Sequence, residues 1–257
     1  MLKGKRLVIT GVLNQSSIAY TVARLAQEQG AEVVLTSFGR AMSLTKRVAA
    51  RLPVPADTLE LDASNASDFE RLTVALEERW GGVDGALHSI AFGPGGCFGD
   101  FLGAPWEDVS VALQVSAYSM KSLAASLAPL MRDGGSIVGL DFDATVAWPG
   151  YDWMGVAKAA LESVTRYLAH DLGPNGIRVN LVSAGPLRTF SSHAVGGFDA
   201  IGRAWRAGAP LGWDAGDPEP VARTCIALLS DWLPATTGEI VHADGGAHAL
   251  GARSAAP

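Results

Sequence analysis

The chain has two cysteines in 257 residues, Cys97 and Cys225, which provides neither a disulfide framework nor a thiolate metal site. Its five histidines (His88, His170, His193, His242 and His248) show no HxxxH-type spacing, so no metal is implied. Basic residues number 20 against 26 acidic ones. The net charge of -6 and a pI near 5.3 argue against nucleic acid as the main partner. Long apolar runs are missing too. The longest, Leu123–Met131, is interrupted by Ser126 and Pro129 and is far too short to span a bilayer. The opening MLKGKRLVITGVLNQSS is punctuated by Gly11 and ended by Asn14, so it reads as a first strand and not a signal peptide. There is no internal repeat, linker or low-complexity segment. A soluble, cytoplasmic protein with no membrane partner is expected.

What is present is a regular alternation. Apolar, β-branched runs at Lys5–Thr10, Ala31–Phe38, Asp57–Asp62, Val83–Ile90, Gly135–Phe142, Ile177–Ala184 and Gly238–Asp244 read as strands. Between them, helical periodicity covers Ser17–Gln29, Arg40–Leu52, Ser67–Trp80, 105–131, Tyr151–Leu172 and Pro218–Asp231. Ala91–Gly103 is a Gly-rich loop and Thr189–Ala207 mixes helix and loop. Strand–helix alternation at roughly thirty-residue intervals predicts an α/β Rossmann fold: one doubly wound, seven-stranded parallel sheet with helices on both faces. One domain over 1–257 is the economical organisation, with a polar tail from Ala247 expected to fray.

In such a sheet, ligands bind beyond the carboxyl ends of the strands. After the first strand, Gly11 permits a tight turn, and Ser16, Ser17 and Ile18 open a helix whose N–H groups suit a pyrophosphate. The GxGxxG fingerprint is absent, and any capped helix after a strand has this look. After the second strand, Phe38-Gly39-Arg40 carries no acidic residue to select NAD. Phe38 suits stacking near adenosine or packing in the core; Arg40 suits a 2′-phosphate or solvent. Asp62 and Ala63 end the third strand, where a carboxylate can meet an adenine amino group or cap a helix. Ser89, Ile90 and Ala91 end the fourth and let backbone approach a ribose. Gly185, Pro186, Leu187 and Thr189 follow the sixth, where backbone groups can hold a carboxamide and Thr189 a phosphate or a helix cap.

Tyr151 and Lys158 stand seven positions apart at the start of the longest helical pattern. Seven residues are about two turns, which predicts both on one helix face. A phenol beside an ammonium is a proton donor next to a group that lowers its pKa. An ordinary amphipathic helix offers the same pair, so the strand ends around it decide its meaning.

With those residues in place, the chain resembles the short-chain dehydrogenase/reductase superfamily through Tyr151-x6-Lys158. More narrowly, it resembles the enoyl-acyl-carrier-protein reductases of the FabI type, and among them the mycobacterial enzymes. The segments GVLNQSSIA (11–19), LELDASN (59–65), HSIAF (88–92), GSIVGLDFD (135–143), YDWMGVAKAALES (151–163), RVNLVSAGPLRT (178–189) and LLSDWLPATTGEIVHADGGAH (228–248) carry the likeness over nearly the whole chain. The resemblance implies NADH-dependent reduction of trans-2-enoyl thioesters, on acyl carrier protein or CoA, in fatty acid elongation. Catalytic roles would fall to Tyr151, Lys158 and Phe142. Cofactor contacts would fall to Gly11, Ser17, Ile18, Phe38, Asp62, Ala63, Ile90, Ala91, Lys158 and Leu187. NADH is the implied cofactor, with NADPH left open by Gly39-Arg40. The resemblance also implies a homotetramer.

Ketone reductases of the superfamily place a Ser about a dozen residues before the Tyr. Here positions 138 and 139 are Val and Gly. The Thr189–Pro210 stretch resembles a substrate-binding loop about ten residues shorter than its mycobacterial counterpart. Its Phe190, Ala194, Val195, Phe198, Ile201 and Trp205 suit an acyl slot and lid.

Overall fold

The aliphatic runs pair into one all-parallel sheet in the order β3-β2-β1-β4-β5-β6-β7. The strands are β1 (Arg6–Ile9), β2 (Glu32–Ser37), β3 (Thr58–Glu60), β4 (Gly85–His88), β5 (Gly135–Asp141), β6 (Ile177–Ala184) and β7 (Ile240–Ala243). The computed structural model describes residues 1–190, 192 and 198–251. The strand order reverses direction between β1 and β4, the switch point at which a doubly wound sheet opens a crevice.

Alternate side chains of the central strands enter two separate cores, as the two-residue period requires. Leu7, Ile9, Val138 and Val182 pack under α1 (Ile18–Glu28) and α8 (Glu219–Leu229). Val8, Ala86, Ile137 and Leu181 pack under α3 (Ala66–Trp80), α5 (Ser119–Leu127) and α6 (Trp153–Leu172). The remaining helices are α2 (Ala41–Ala49), α4 (Trp106–Leu113) and α7 (Phe198–Gly208). Among the described residues no helix is long and apolar enough to cross a membrane, and no group of three or more metal-binding side chains occurs.

Three expectations change. The helix expected over 105–131 is broken: a π-helical turn, Gln114–Tyr118, separates α4 from α5. It turns Ser116 inward, where its hydroxyl accepts from the Phe92 N–H and donates to the Phe92 carbonyl, both at 3.0 Å. The tail does not fray from Ala247. Ala247–Ala249 forms a 3-10 turn, because Asp244 accepts from the N–H groups of Gly246 and His248 at 2.8 Å. Residues 252–257 lie outside the described residues. Third, Tyr151 is not helical, since α6 begins at Trp153.

Candidate active site

Tyr151 occupies a turn in front of α6. Its N–H donates to the Trp148 carbonyl at 3.0 Å, and its own carbonyl accepts from Met154 at 2.9 Å. The next residue, Asp152, has φ 42°, the only positive φ among described non-glycine residues. Its carboxylate accepts from the Gly99 N–H at 2.5 Å. The expected two-turn spacing on one helix therefore does not place the pair: a strained turn holds Tyr151 and α6 holds Lys158. The Tyr151 ring is set instead by Phe142, whose ring meets it edge-on at 5.3 Å and 70°. Phe142 in turn packs against Trp148 and Trp205.

Lys158 lies one and a half turns into α6 and is buried. Its ammonium donates to the Leu140 carbonyl at 2.7 Å. Burial lowers its pKa, and the Asp141 charge opposes that fall. Burial raises the Tyr151 pKa, and Asp141 raises it further. Burial and the Asp141 charge thus hold Tyr151 in its protonated form, while the ammonium gives one of its donors to β5. On the neighbouring strand, His88 is fully buried with Nε2 2.7 Å from the Ser119 hydroxyl. Burial, then the Lys158 charge, hold its imidazole down to about 3.

Tyr151, Phe142, Lys158 and Asp141 face a cavity of about 430 Å³, within the range of small-molecule sites. The ends of β1 and β4 give it Gly11, Ser17, Ile18, Ser89, Ile90 and Ala91. The end of β5 gives Leu140, Asp141 and Phe142, and the segment after β6 gives Gly185, Pro186, Leu187 and Thr189. Tyr151, Met154 and Lys158 close one side. Phe92, Phe98, Phe190, Phe198 and Ile201 make an apolar wall. Gly11 is obligatory: at φ +80° a Cβ there would stand 1.8 Å from the Ser89 carbonyl oxygen.

The dinucleotide expected from the sequence fits these groups. No side chain caps α1 and no acidic residue stands in its first turn, so its leading N–H groups are open to an anion. Ser17 stands at the N-cap position of α1, but its side chain does not cap the helix. Its hydroxyl accepts from the Leu13 and Asn14 N–H groups at 3.2 Å, which folds the β1–α1 turn.

A family model described as Enoyl-(Acyl carrier protein) reductase matches residues 11–248. The chain belongs to that family. It is 49% identical to a Mycolicibacterium smegmatis protein named enoyl-acyl-carrier-protein reductase (NADH), over 96% of this chain and 97% of the relative. A Mycobacterium avium protein of the same name is 47% identical over 96% and 97%. An Aquifex aeolicus protein with that name and the suffix FabI is 38% identical over 98% and 94%.

In this member of the enoyl reductase family, three expected cofactor residues stand apart from the cavity lining: Phe38, Asp62 and Ala63. Phe38 is 48% exposed, so it is not a core residue. One Asp62 oxygen accepts from the Ser64 N–H at 2.9 Å and hydroxyl at 2.7 Å, while Asn65 caps α3 by accepting from the Ser67 N–H. Thr189 caps no described α-helix, since α7 begins at Phe198. Of the expected lid, Phe190, Phe198 and Ile201 line the cavity; Trp205 is fully buried beneath it, and Ala194 and Val195 lie outside the described residues.

Asp141, Met154 and Phe98 line the cavity and were not foreseen as site residues. Asp141 had a signal: it is an acidic residue closing an otherwise apolar strand, GSIVGLD.

Proposed function

We propose that this protein reduces the 2,3 double bond of trans-2-enoyl thioesters, carried on acyl carrier protein or CoA, with NADH in fatty acid elongation. One observation carries the reading: Tyr151, Phe142 and Lys158 share one cavity with an aromatic, apolar wall. Its carboxyl-end position and the uncapped α1 suit a dinucleotide, and three relatives bear NADH in their names. Bound there, the cofactor supplies a hydride to the β-carbon.

The chain's own residues supply placement and charge. The Tyr151 hydroxyl, kept protonated by burial, donates a hydrogen bond to the thioester oxygen as enolate charge develops there. Lys158 spends one of its three N–H donors on Leu140 and has two left for a ribose diol. Phe142 holds the Tyr151 ring and walls the reacting carbons. Phe190, Phe198 and Ile201 surround the acyl chain and exclude water. Gly11, Ser17 and Ile18 serve the pyrophosphate end, and Ser89, Ile90 and Ala91 the ribose. Phe38, Asp62 and Ala63 serve the adenosine, and Gly185, Pro186, Leu187 and Thr189 the carboxamide and phosphate. We also read the protein as a cytoplasmic homotetramer. Exposed Trp106, Tyr118 and Tyr167 on the α4–α5 and α6 helices support a helical interface, which light scattering tests.

Val138 and Gly139, with no hydroxyl, stand on β5 where ketone reductases carry their Ser. The test is NADH and NADPH oxidation with crotonyl, longer enoyl and acetoacetyl thioesters. Enoyl reduction should dominate with NADH. Faster acetoacetyl reduction would sink the assignment.

A further inference from the structure

Resting on this reading of the site, we propose that Asp141 is a charge-setting residue for the Tyr151–Lys158 pair. Its buried carboxyl takes up or releases a proton, and so decides how positive the Lys158 side of the cavity is when the substrate oxygen becomes an enolate. Asp141 ends β5 paired with Ser183, on the strand face that also carries Ile137 and Gly139, toward α6. It is 4% exposed, yet lines the cavity. Neither carboxylate oxygen makes a sound hydrogen bond; only the Phe142 N–H lies near enough to favour the charge weakly. A buried carboxylate with both oxygens unpaired is costly, and a proton is the cheapest relief.

The groups facing Asp141 come from every neighbouring element. On α6, Lys158 favours its ionised form and Glu162 opposes it. Asp143, just past β5, also opposes, but is tied to the Thr145 N–H and hydroxyl at 3.0 and 2.6 Å. Glu162 faces Arg166 at 3.7 Å. His88 on β4 stays neutral above about 3. Burial outweighs Lys158, and pushes the Asp141 carboxyl up to about 7. The same charge acts on Tyr151, raising its pKa, so ionised Asp141 opposes negative charge at the Tyr151 hydroxyl.

The sign follows. Below neutrality Asp141 is uncharged, the Lys158 ammonium is uncompensated, and the developing enolate is favoured. Above neutrality the Asp141 charge cancels part of that field. The hydride-transfer rate should therefore fall, by about tenfold, as pH rises through about 7. Asp141→Asn, a neutral isostere, should keep the high rate at all pH values between 5.5 and 8.5. KM for NADH should move little.

The decisive experiment is single-turnover crotonyl-thioester reduction across that pH range, with 4-deuterated NADH to confirm that hydride transfer is read, on wild type and Asp141→Asn. Infrared titration of the wild-type protein gives a second measurement that needs no folded variant: a buried carboxylic acid band should fade as pH passes neutrality. A wild-type rate flat with pH, an unchanged profile in Asp141→Asn, or no titrating carboxylic acid band overturns the role of Asp141. Absence of enoyl reduction at every pH overturns the functional reading instead, and leaves the infrared titration to judge Asp141.

Discussion

The edge of one ring meets the face of the other where Phe142 contacts Tyr151, with centroids 5.3 Å apart. Phe142 is itself wedged by Trp148 at 5.4 Å and Trp205 at 5.8 Å. The phenol is thus positioned by aromatic packing from β5 and α7, while Lys158 is positioned by helix α6. Tyr151→Phe keeps that packing and removes only the donor. Loss of one oxyanion donor costs about 10²–10³ in kcat. We expect that loss with NADH binding and thermal stability unchanged. Phe142→Ala should instead lower both kcat and Tm, since an aromatic pair contributes about 0.5–1.5 kcal/mol beyond its buried area. If Tyr151→Phe weakens NADH binding as much as turnover, the hydroxyl is not a transition-state donor.

Asp152 carries the second prediction. At φ 42° and ψ -114° it sits where a side chain is strained, and its carboxylate accepts from Gly99. Trp153 adds a second tether from its indole N–H to the Phe101 carbonyl at 2.9 Å. Such backbone strain costs about 1–3 kcal/mol and persists only where the surroundings enforce it. Asp152→Asn preserves an acceptor for the Gly99 N–H, so activity should stay within about twofold. Asp152→Ala keeps the strain and loses the tether. Its Tm should fall by roughly 2–6 °C, with kcat reduced more than KM. Equal Tm for Asn and Ala variants would show that the Gly99 tether does not matter.

The sheet was legible in the sequence because buried parallel strands are apolar runs of fixed length, and β6 occupies Ile177–Ala184 as expected. Gly11, Ser89 and Leu187 were legible because strand ends fix the crevice. Three features were not. The break at Gln114–Tyr118 is a single widened turn, too short to stand out from the helical pattern on either side. The start of α6 depends on the Gly99 tether, a contact 53 positions away in sequence. The charge relation between Asp141 and Lys158 arises only when β5 and α6 pack.

His88 makes stability sensitive to acid. Burial beside Lys158 holds its pKa down to about 3, against about 6.5 in an unfolded chain. Between those values the unfolded chain binds a proton that the folded one refuses. Its stabilising contribution is therefore present above about 6.5 and is lost as pH falls toward 3, on the order of a few kcal/mol in all. Asp141 works in the opposite direction, gaining stability as pH falls from about 7. A variant comparison separates them. His88→Gln should show a shallower fall in the urea midpoint between pH 7 and 4.5 than wild type. Identical slopes would mean that acid attacks elsewhere.

Trp205 supports the last prediction, that the floor of the acyl site belongs to α7. The side chain is 1% exposed, and its indole N–H donates to the Asp244 carbonyl at 2.9 Å. It packs with Phe142, Trp148, Ile201 and Ala247, so it joins the aromatic side of the cavity to α7 and the Ala247–Ala249 turn. Truncation of a buried Trp costs about 3–5 kcal/mol. Trp205→Ala should lower Tm and also free α7, whose Phe198 and Ile201 line the cavity. With α7 on the proposed acyl side and α1 on the proposed dinucleotide side, KM for a long enoyl thioester should rise about tenfold or more while NADH affinity changes little. Trp205→Phe, which refills most of the volume without the N–H, should recover most of the substrate affinity. Parallel losses of NADH and thioester binding in Trp205→Ala would show that the two halves of the cavity do not depend on separate elements.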